Sequence, residues 1–269
     1  MSLKKIKKLF STLMSIFLIS SLLVGCIKNE DSNLEVEINQ NKNEKTEEEI
    51  AKEEADRLAK EEADRLAKEE AEKEAKIQAI KDNPMMMLVN RDNLLASDFI
   101  PNDLVNLDIN FQNYPNERTL KKEGADAAKE MFDAAKKDGV KLIGASGYRS
   151  YKLQKQIYDT RVSEKGLEEA SKYIAIPGAS EHQSGLALDI LSTEYQNLDS
   201  GFENTEAFKW LIDNCHKYGF ILRYLKGKED ITGYSYEPWH FRYIQDTEVA
   251  KYIMDNNLTF EEFHTQLNN

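Results

Sequence analysis

Cysteine is almost absent from the chain, which has two in 269 residues, Cys26 and Cys215. This scarcity excludes a disulfide-rich scaffold and the cysteine-rich ligand sets typical of structural zinc sites. Cys215 lies among apolar residues in the segment WLIDNCHKYGF. We therefore expect a buried, inert thiol at this position, in a domain that is stable without a disulfide.

The sequence also lacks a clustered basic region. It has 48 acidic residues against 36 Lys plus Arg, and its formal net charge is −12. Proteins that bind nucleic acids present concentrated positive charge to the phosphate backbone. We therefore expect no nucleic-acid partner.

Aromatic residues are absent between residues 27 and 83, where charged residues are dense. Such a segment cannot build a hydrophobic core, and we interpret residues 26–83 as an acidic spacer. It contains EEADRLAK at 53–60 and again at 61–68, followed by EEAEKEAK at 69–76. These residues favour a helix with acids placed four positions before bases. The eight-residue period rotates the Ala/Leu stripe by about 80° per repeat, which favours a solitary helix over a coiled coil.

The apolar run near the N-terminus lacks the length of a membrane-spanning helix. It has about 16 residues after four lysines, whereas a spanning helix needs about 20. We interpret residues 1–25 as a secretory signal. The run ends in LVGC, which resembles the lipobox of bacterial lipoproteins, in which Cys26 is lipidated; a plain signal peptide is the alternative. The expected location is extracytoplasmic, with lipidated Cys26 anchoring the protein to the bacterial cell membrane.

Hydrophobic periodicity changes after Pro84. Short apolar runs predict strands at MMMLVN (85–90), VKLIGAS, GLALDIL and PWHFRYI. Amphipathic stretches predict helices at RTLKKEGADAAKEMFDAAKKDG, YKLQKQIYDTRVSEKG and TEAFKWLIDNCHKYGF. The irregular connections argue against a regular parallel series. We predict that residues 84–269 form one α+β domain with a small, largely antiparallel sheet flanked by helices.

Two of the four histidines have carboxylates placed nearby. In SEHQSGLALDI, His182 precedes Asp189 by seven positions, and Asp189 lies inside a predicted buried strand. A buried carboxylate is costly unless a cation compensates it. In EPWH, His240 follows Glu237 by three positions. Three ligands from His, Asp or Glu are typical of catalytic zinc sites, and Glu237 would then serve as a base. His216 is interpreted as a surface or packing residue, and His264, in a polar segment near the C-terminus, is expected to have no specific role.

Three segments in this order, GYRSYKLQ, SEHQSGLALDI and EPWHFRYI, resemble the motifs of VanY-type zinc D-alanyl-D-alanine carboxypeptidases. That superfamily includes lysostaphin-like peptidases and the hedgehog signalling domain, and the resemblance covers roughly residues 85–256. It implies a hedgehog/DD-peptidase-like fold with Zn²⁺ as cofactor. The implied zinc ligands are His182, Asp189 and His240, with Glu237 as the catalytic base.

The resemblance also implies a substrate-binding set. Arg149 would polarise the scissile carbonyl or stabilise its oxyanion, a role that suits a guanidinium in a partly dry cleft. Gln154 and Ser180 would help to hold the terminal peptide. The implied reaction removes the C-terminal D-alanine from peptidoglycan stem peptides. The alternatives are L,D-carboxypeptidase activity on tetrapeptide stems, an endopeptidase, and a non-catalytic, zinc-stabilised wall-binding module.

Overall fold

The computed structural model describes residues 45–112 and 118–268. The predicted signal segment and the predicted lipidation site Cys26 lie outside these residues. Across the described part of the chain, no helix combines the length and the apolar character needed to cross a membrane.

The repeat segment forms one long helix, α1 (Glu47–Asp82), of 36 residues. At 1.5 Å per residue it extends about 54 Å. Its leucines remain exposed, Leu58 at 54% and Leu66 at 51%. The described chain divides into two compact units at this helix, and the second unit begins at Ile80, which is buried.

The arginines of α1 pair with different glutamates from those expected. Arg57 lies 3.6 Å from Glu54 and 3.9 Å from Glu61, instead of contacting the acid four positions before it. Arg65 contacts Glu62 and Glu69 in the same way. A long guanidinium side chain reaches both neighbouring turns of a helix, so the spacing of acids alone does not select the partner. Such exposed pairs contribute little to stability, because solvent and salt screen them.

In the described part of the chain, six short strands form two antiparallel sheets. A two-stranded ribbon pairs β1 (Leu104–Asn106) with β2 (Thr119–Lys121). The main sheet contains β3 (Leu142–Ser146), β4 (Ala187–Ser192), β5 (Phe220–Tyr224) and β6 (Glu237–Tyr243), in the order β3-β4-β6-β5. All its pairings are antiparallel, which confirms the predicted α+β class with a small antiparallel sheet.

Helices flank this sheet, and several begin at a side chain that caps the first turn. They are α2 (Lys122–Lys137), α3 (Tyr151–Lys165), α4 (Leu167–Tyr173), α5 (Glu206–Asn214), α6 (Glu229–Thr232), α7 (Thr247–Asp255) and α8 (Phe260–Asn268). Ser150 accepts a hydrogen bond from the Leu153 amide, and Thr205 accepts one from Phe208. These bonds satisfy amides that have no partner within their helix.

The hydrophobic core lies against the main sheet, whose central strand β4 is buried along its whole length. Cys215 belongs to this core, is fully buried and forms no disulfide within the described residues. Burial raises the pKa of its thiol to about 12, so the thiol is protonated at neutral pH. The prediction that Cys215 is buried is confirmed, and a protonated thiol agrees with the expectation that it is inert.

The predicted strand at residues 85–90 is wrong. Pro84–Met86 form a single 3₁₀ turn, and the Asn83 side chain accepts a hydrogen bond from the Met85 amide at 2.9 Å. Met85 and Met86 are nevertheless buried. The apolar run therefore reports burial correctly, whereas Asn83 and Pro84 favour a capped turn at its start.

Candidate metal centre

Strand register brings two of the predicted ligands side by side. Asp189 on β4 is paired with His240 on β6 in the middle of the sheet. His182 arrives from the 3₁₀ turn Glu181–Ser184, which ends at Gly185 in the left-handed conformation with φ 69°. A side chain at Gly185 would also approach Leu104 to 2.9 Å, so this tight return to β4 requires glycine.

The three side chains form a buried cluster of potential metal ligands. One ligand atom from each of His182, Asp189 and His240 lies within 4.8 Å of the other two. His182 Nε2 is 3.4 Å from Asp189 Oδ2, and His240 Nδ1 is 3.2 Å from Asp189 Oδ1. Yet Asp189 Oδ1, although buried, has no hydrogen-bond partner within the described chain. Two imidazole nitrogens and a carboxylate facing one point fit Zn²⁺, which takes these ligand types in catalytic sites.

Hydrogen bonds at the far side of each ring direct the other nitrogen towards this point. His182 Nδ1 lies 2.7 Å from the Gly147 carbonyl oxygen and donates to it, which leaves the Nε2 lone pair for a metal. His240 Nε2 lies 3.3 Å from Glu181 Oε2, which leaves Nδ1 for a metal. This arrangement, with a carbonyl or carboxylate behind each histidine, is typical of zinc sites.

A bulge in β6 turns Glu237 towards the same centre. Leu222 pairs with Phe241 but Tyr224 pairs with Glu237, so β6 holds extra residues at this point. Pro238 lies in the irregular stretch, where its missing amide hydrogen costs no ladder bond. In a regular strand Glu237 and His240 would point to opposite faces. Here Glu237 Oε2 lies 3.7 Å from His240 Nδ1.

Two carboxylates of the site have pKa values shifted in opposite directions: that of Asp189 is lowered and that of Glu237 is raised. Burial alone would raise the pKa of Asp189, but His182 and His240 hold that pKa well below its usual range. Burial raises the pKa of Glu237 to about 7, with Asp189 adding to the rise and His240 and Arg149 opposing it. Asp189 therefore suits an ionised metal ligand, and Glu237 suits a group that exchanges a proton near neutral pH.

Arg149 is held in place by its neighbours. Its guanidinium donates to Ser146 Oγ at 2.8 Å and to Gln154 Oε1 at 3.1 Å. Its backbone amide donates to the His182 carbonyl at 3.1 Å. Gln154 also donates its own Nε2 to the Ala175 carbonyl at 2.7 Å. The structure therefore places Gln154 behind Arg149, with both ends of its amide engaged.

These groups line a cavity of about 350 Å³. It contains all the metal-binding, catalytic and substrate-binding residues predicted from the sequence: Arg149, Gln154, Ser180, His182, Asp189, Glu237 and His240. An aromatic wall is formed by Tyr173, Tyr224, Tyr234 and Trp239. Ser180 is buried beside the ligand-bearing turn. The cavity is large enough for a short peptide end, and its polar groups are concentrated at the metal centre.

The remaining histidines lie elsewhere. His216 is in the turn Cys215–Tyr218, and His264 packs edge-on against Phe260 at 4.6 Å in α8. The sequence reasoning missed Glu181, which is buried directly behind His240. The sequence contains only a weak signal, an acid directly before His182 in a segment interpreted as a polar turn.

Comparison with known proteins gives a consistent set of similarities. Residues 117–246 match the profile of the family described as VanY, D-alanyl-D-alanine carboxypeptidase. A putative carboxypeptidase of Bacillus subtilis, YodJ, is 50% identical over 187 residues, which cover 66% of each chain. The chain thus spans just under two thirds of the length of this curated relative.

Two solved structures have similar folds. The LdcB LD-carboxypeptidase aligns with a TM-score of 0.65 and 49% identity, over 69% of this chain and 88% of that one. A variant of the vancomycin-resistance D,D-pentapeptidase VanY in complex with Zn(II) aligns with a TM-score of 0.56 and 36% identity. That alignment covers 67% of this chain and 99% of the other. The zinc in this relative agrees with the ligand set found here.

Proposed function

The chain belongs to the VanY family of D-alanyl-D-alanine carboxypeptidases, and we propose that it removes the C-terminal D-alanine from peptidoglycan stem peptides. Membership confirms the predicted enzyme class, a carboxypeptidase-type peptidase, and the predicted zinc cofactor. One observation carries the proposal. Glu237 Oε2 lies 3.7 Å from His240 Nδ1, the nitrogen that would bind the metal, but Glu237 does not belong to the three-residue ligand cluster. A catalytic base is needed at such a position, next to the metal but not bound to it.

The residues of the cavity have separate roles in peptide hydrolysis. His182, Asp189 and His240 would hold zinc, which supplies a Lewis acid that activates water and polarises a peptide carbonyl. Glu237 takes a proton from the attacking water as the new carbon–oxygen bond forms. It then gives that proton to the nitrogen of the departing D-alanine as the carbon–nitrogen bond breaks.

Arg149 supports the same reaction through its fixed guanidinium. Ser146 and Gln154 hold two of its nitrogens, so the group is oriented before substrate arrives. A preoriented cation stabilises the negative charge that develops on the carbonyl oxygen. We assign Gln154 to positioning Arg149, and Ser180 to the wall of the pocket that receives the terminal residue.

A second candidate is L,D-carboxypeptidase activity on tetrapeptide stems. Its support is the 49% identity to the LdcB LD-carboxypeptidase, against 36% to the VanY D,D-pentapeptidase. The two activities share the same ligands and base, and they differ in the configuration of the residue before the cut. An endopeptidase would also share these groups.

Product analysis separates these activities. The purified protein is incubated with a synthetic pentapeptide stem, a tetrapeptide stem and a cross-linked stem dimer. D-alanine released from the pentapeptide alone supports D,D-carboxypeptidase activity, and release from the tetrapeptide supports the L,D activity. Cleavage of the dimer alone indicates an endopeptidase. Zinc binding without any product would contradict the enzyme and favour the wall-binding module.

We also propose that the enzyme acts outside the cell membrane, anchored by a lipid on Cys26. The support is the sequence LVGC at the end of the N-terminal apolar run. Metabolic labelling with a radioactive fatty acid tests the proposal. The parent should incorporate label and sediment with membranes, and a Cys26→Ser variant should do neither. Equal labelling of the two proteins would exclude Cys26 as the lipidation site.

A further inference from the structure

A buried ion cluster lies directly behind the metal centre. Glu181, Arg223 and Arg242 have fully buried side chains, and Glu261 on α8 is 14% exposed. Two carboxylates face two guanidiniums, so the cluster has no net charge. Charged groups with little solvent contact persist only when they are paired and hydrogen-bonded.

The two oxygens of Glu181 have different partners. Oε1 accepts from Arg223 Nε and from Arg242 Nη1, both at 2.8 Å. Oε2 faces His240 Nε2 at 3.3 Å. The arginines therefore fix one oxygen, and this orients the other towards the imidazole ring.

The arginines are themselves fixed from distant parts of the chain. Arg223 donates two hydrogen bonds to Glu261, at 2.8 and 2.6 Å. Arg242 donates to the carbonyl oxygens of Met85 at 2.9 Å and Met87 at 2.7 Å. The segment after α1 and the C-terminal helix α8 thus hold the carboxylate that contacts a metal ligand.

We propose that Glu181 is a positioning residue that accepts the Nε2 proton of His240 and so commits the Nδ1 lone pair to zinc. The inference rests on the ligand set of the proposed function. Without an acceptor behind it, the His240 ring can place its proton on either nitrogen and can rotate, and both changes weaken zinc binding. Outer-shell partners of this kind typically change metal affinity by about 10–100-fold when they are replaced.

The alternative is that the cluster only joins α8 to the sheet. Both roles predict some loss of stability when Glu181 is replaced, since two buried arginines would lose a partner. Only the positioning role predicts a change in the zinc affinity of protein that is folded. The zinc dissociation constant, measured by chelator competition without substrate, is therefore the informative quantity.

The variant Glu181→Gln keeps the shape of the side chain and removes its charge. We expect its zinc dissociation constant to rise at least tenfold over that of the parent. The matched control is Glu262→Gln on α8, next to Glu261 of the cluster. Glu262 pairs with Lys228 at 2.9 Å, and its contacts with Thr259 at the start of α8 survive as glutamine. The control should bind zinc with the parent's affinity, and the melting temperature of each zinc-free protein reports folding.

A measurement on the parent itself keeps the proposal testable if Glu181→Gln does not fold. In the zinc-loaded protein, NMR should show a slowly exchanging, low-field Nε2 proton on His240. In folded Glu181→Gln that signal should move or broaden, and the Nδ1 proton of His182 should not change. A His240 proton that exchanges freely with water in the parent would overturn the proposal, as would equal zinc affinities of parent and Glu181→Gln.

These outcomes are separable from failure of the proposed function. Zinc binding that depends on Glu181, without release of D-alanine, would contradict the carboxypeptidase alone. Release of D-alanine with an unchanged zinc affinity in Glu181→Gln would contradict the positioning role alone. A parent protein that binds no zinc would overturn both.

Discussion

At the scale of single residues, the environment of Glu237 predicts how activity depends on pH. Burial raises its pKa to about 7 when no metal is present, and a bound dication lowers that value. A general base acts only when it is deprotonated, so activity is lost as pH falls through its pKa. We expect kcat/KM to fall tenfold per pH unit on the acid side, with a midpoint at or below about pH 7. Activity that increases as the pH falls from 7 to 5 would contradict this role.

Arg149 gives a second prediction at this scale. In Arg149→Lys, one ammonium group replaces a planar guanidinium that bonds Ser146 and Gln154 at once. We expect kcat/KM to fall about 10²-fold, as when one oxyanion donor is removed. Zinc content should not change, because Arg149 is outside the ligand cluster.

The control for Arg149→Lys is Lys155→Ala on helix α3. Lys155 is exposed and pairs with Asp159 at 2.6 Å. The Lys155→Ala variant should retain the parent's kcat/KM. Full activity in Arg149→Lys, measured beside this control, would show that the guanidinium does not contact the reacting peptide.

The site residues could be predicted because three short segments carry almost all of them. Asp189 was recognised as a charge in a buried strand, and the motif order identified Arg149. The same reasoning applied to the predicted strand PWHFRYI would have selected Arg242, whereas Arg223 lies in FILRY, which was not predicted to be a strand. Their link to Glu181 could not be predicted, because it depends on how β5, β6 and α8 pack.

At the scale of secondary structure, the helices with clear start signals were the most predictable. α3 begins after Ser150, as expected, and α2 ends just before Gly139. The sequence predicts that α5 continues to Phe220, whereas α5 ends at Asn214 and a 3₁₀ turn follows. The strand β5 begins at Phe220 and was missed, because Phe220 was assigned to the end of that helix and the residues after it to no element. The bulge in β6 was also missed, since only the pairing with β5 reveals it.

Helix α7 provides a stability prediction. Asp246 caps its first turn, accepting hydrogen bonds from the amides of Glu248 at 2.9 Å and Val249 at 3.0 Å. Replacement of such a cap by alanine costs about 1 kcal/mol. We expect Asp246→Ala to lower the melting temperature of the domain by about 2–4 °C in thermal unfolding.

The comparison variant for this prediction is Asp255→Ala at the other end of α7. Asp255 is exposed and forms an ion pair with Lys251 at 2.9 Å. Its loss should change stability by less than about 0.5 kcal/mol. Equal melting temperatures for the two variants would contradict the capping role of Asp246.

At the scale of the whole molecule, α1 is the long helix that precedes the catalytic domain in the chain. We propose that its length sets which layer of the cell wall the domain reaches. Deleting residues 53–68 removes two identical repeats, about 24 Å of helix. We expect unchanged kcat/KM on soluble stem peptides and reduced release of D-alanine from intact cells.

A replacement of the same length tests whether reach is the cause. A different 16-residue helical sequence inserted at the deletion should restore cleavage on cells if length matters. Failure to restore it would indicate that the EEADRLAK sequence itself is recognised. Unchanged cleavage on cells after the deletion would remove the proposal about reach.

The central claim is that Glu237 performs proton transfer beside zinc held by His182, Asp189 and His240. The most direct test measures zinc content and D-alanine release together, for the parent and for Glu237→Ala, on the pentapeptide and tetrapeptide stems. The account predicts one zinc per chain in both proteins, and a rate of D-alanine release that is about 10²–10⁴-fold lower in the variant. A variant that is as active as the parent, or a parent that holds no zinc, would contradict it.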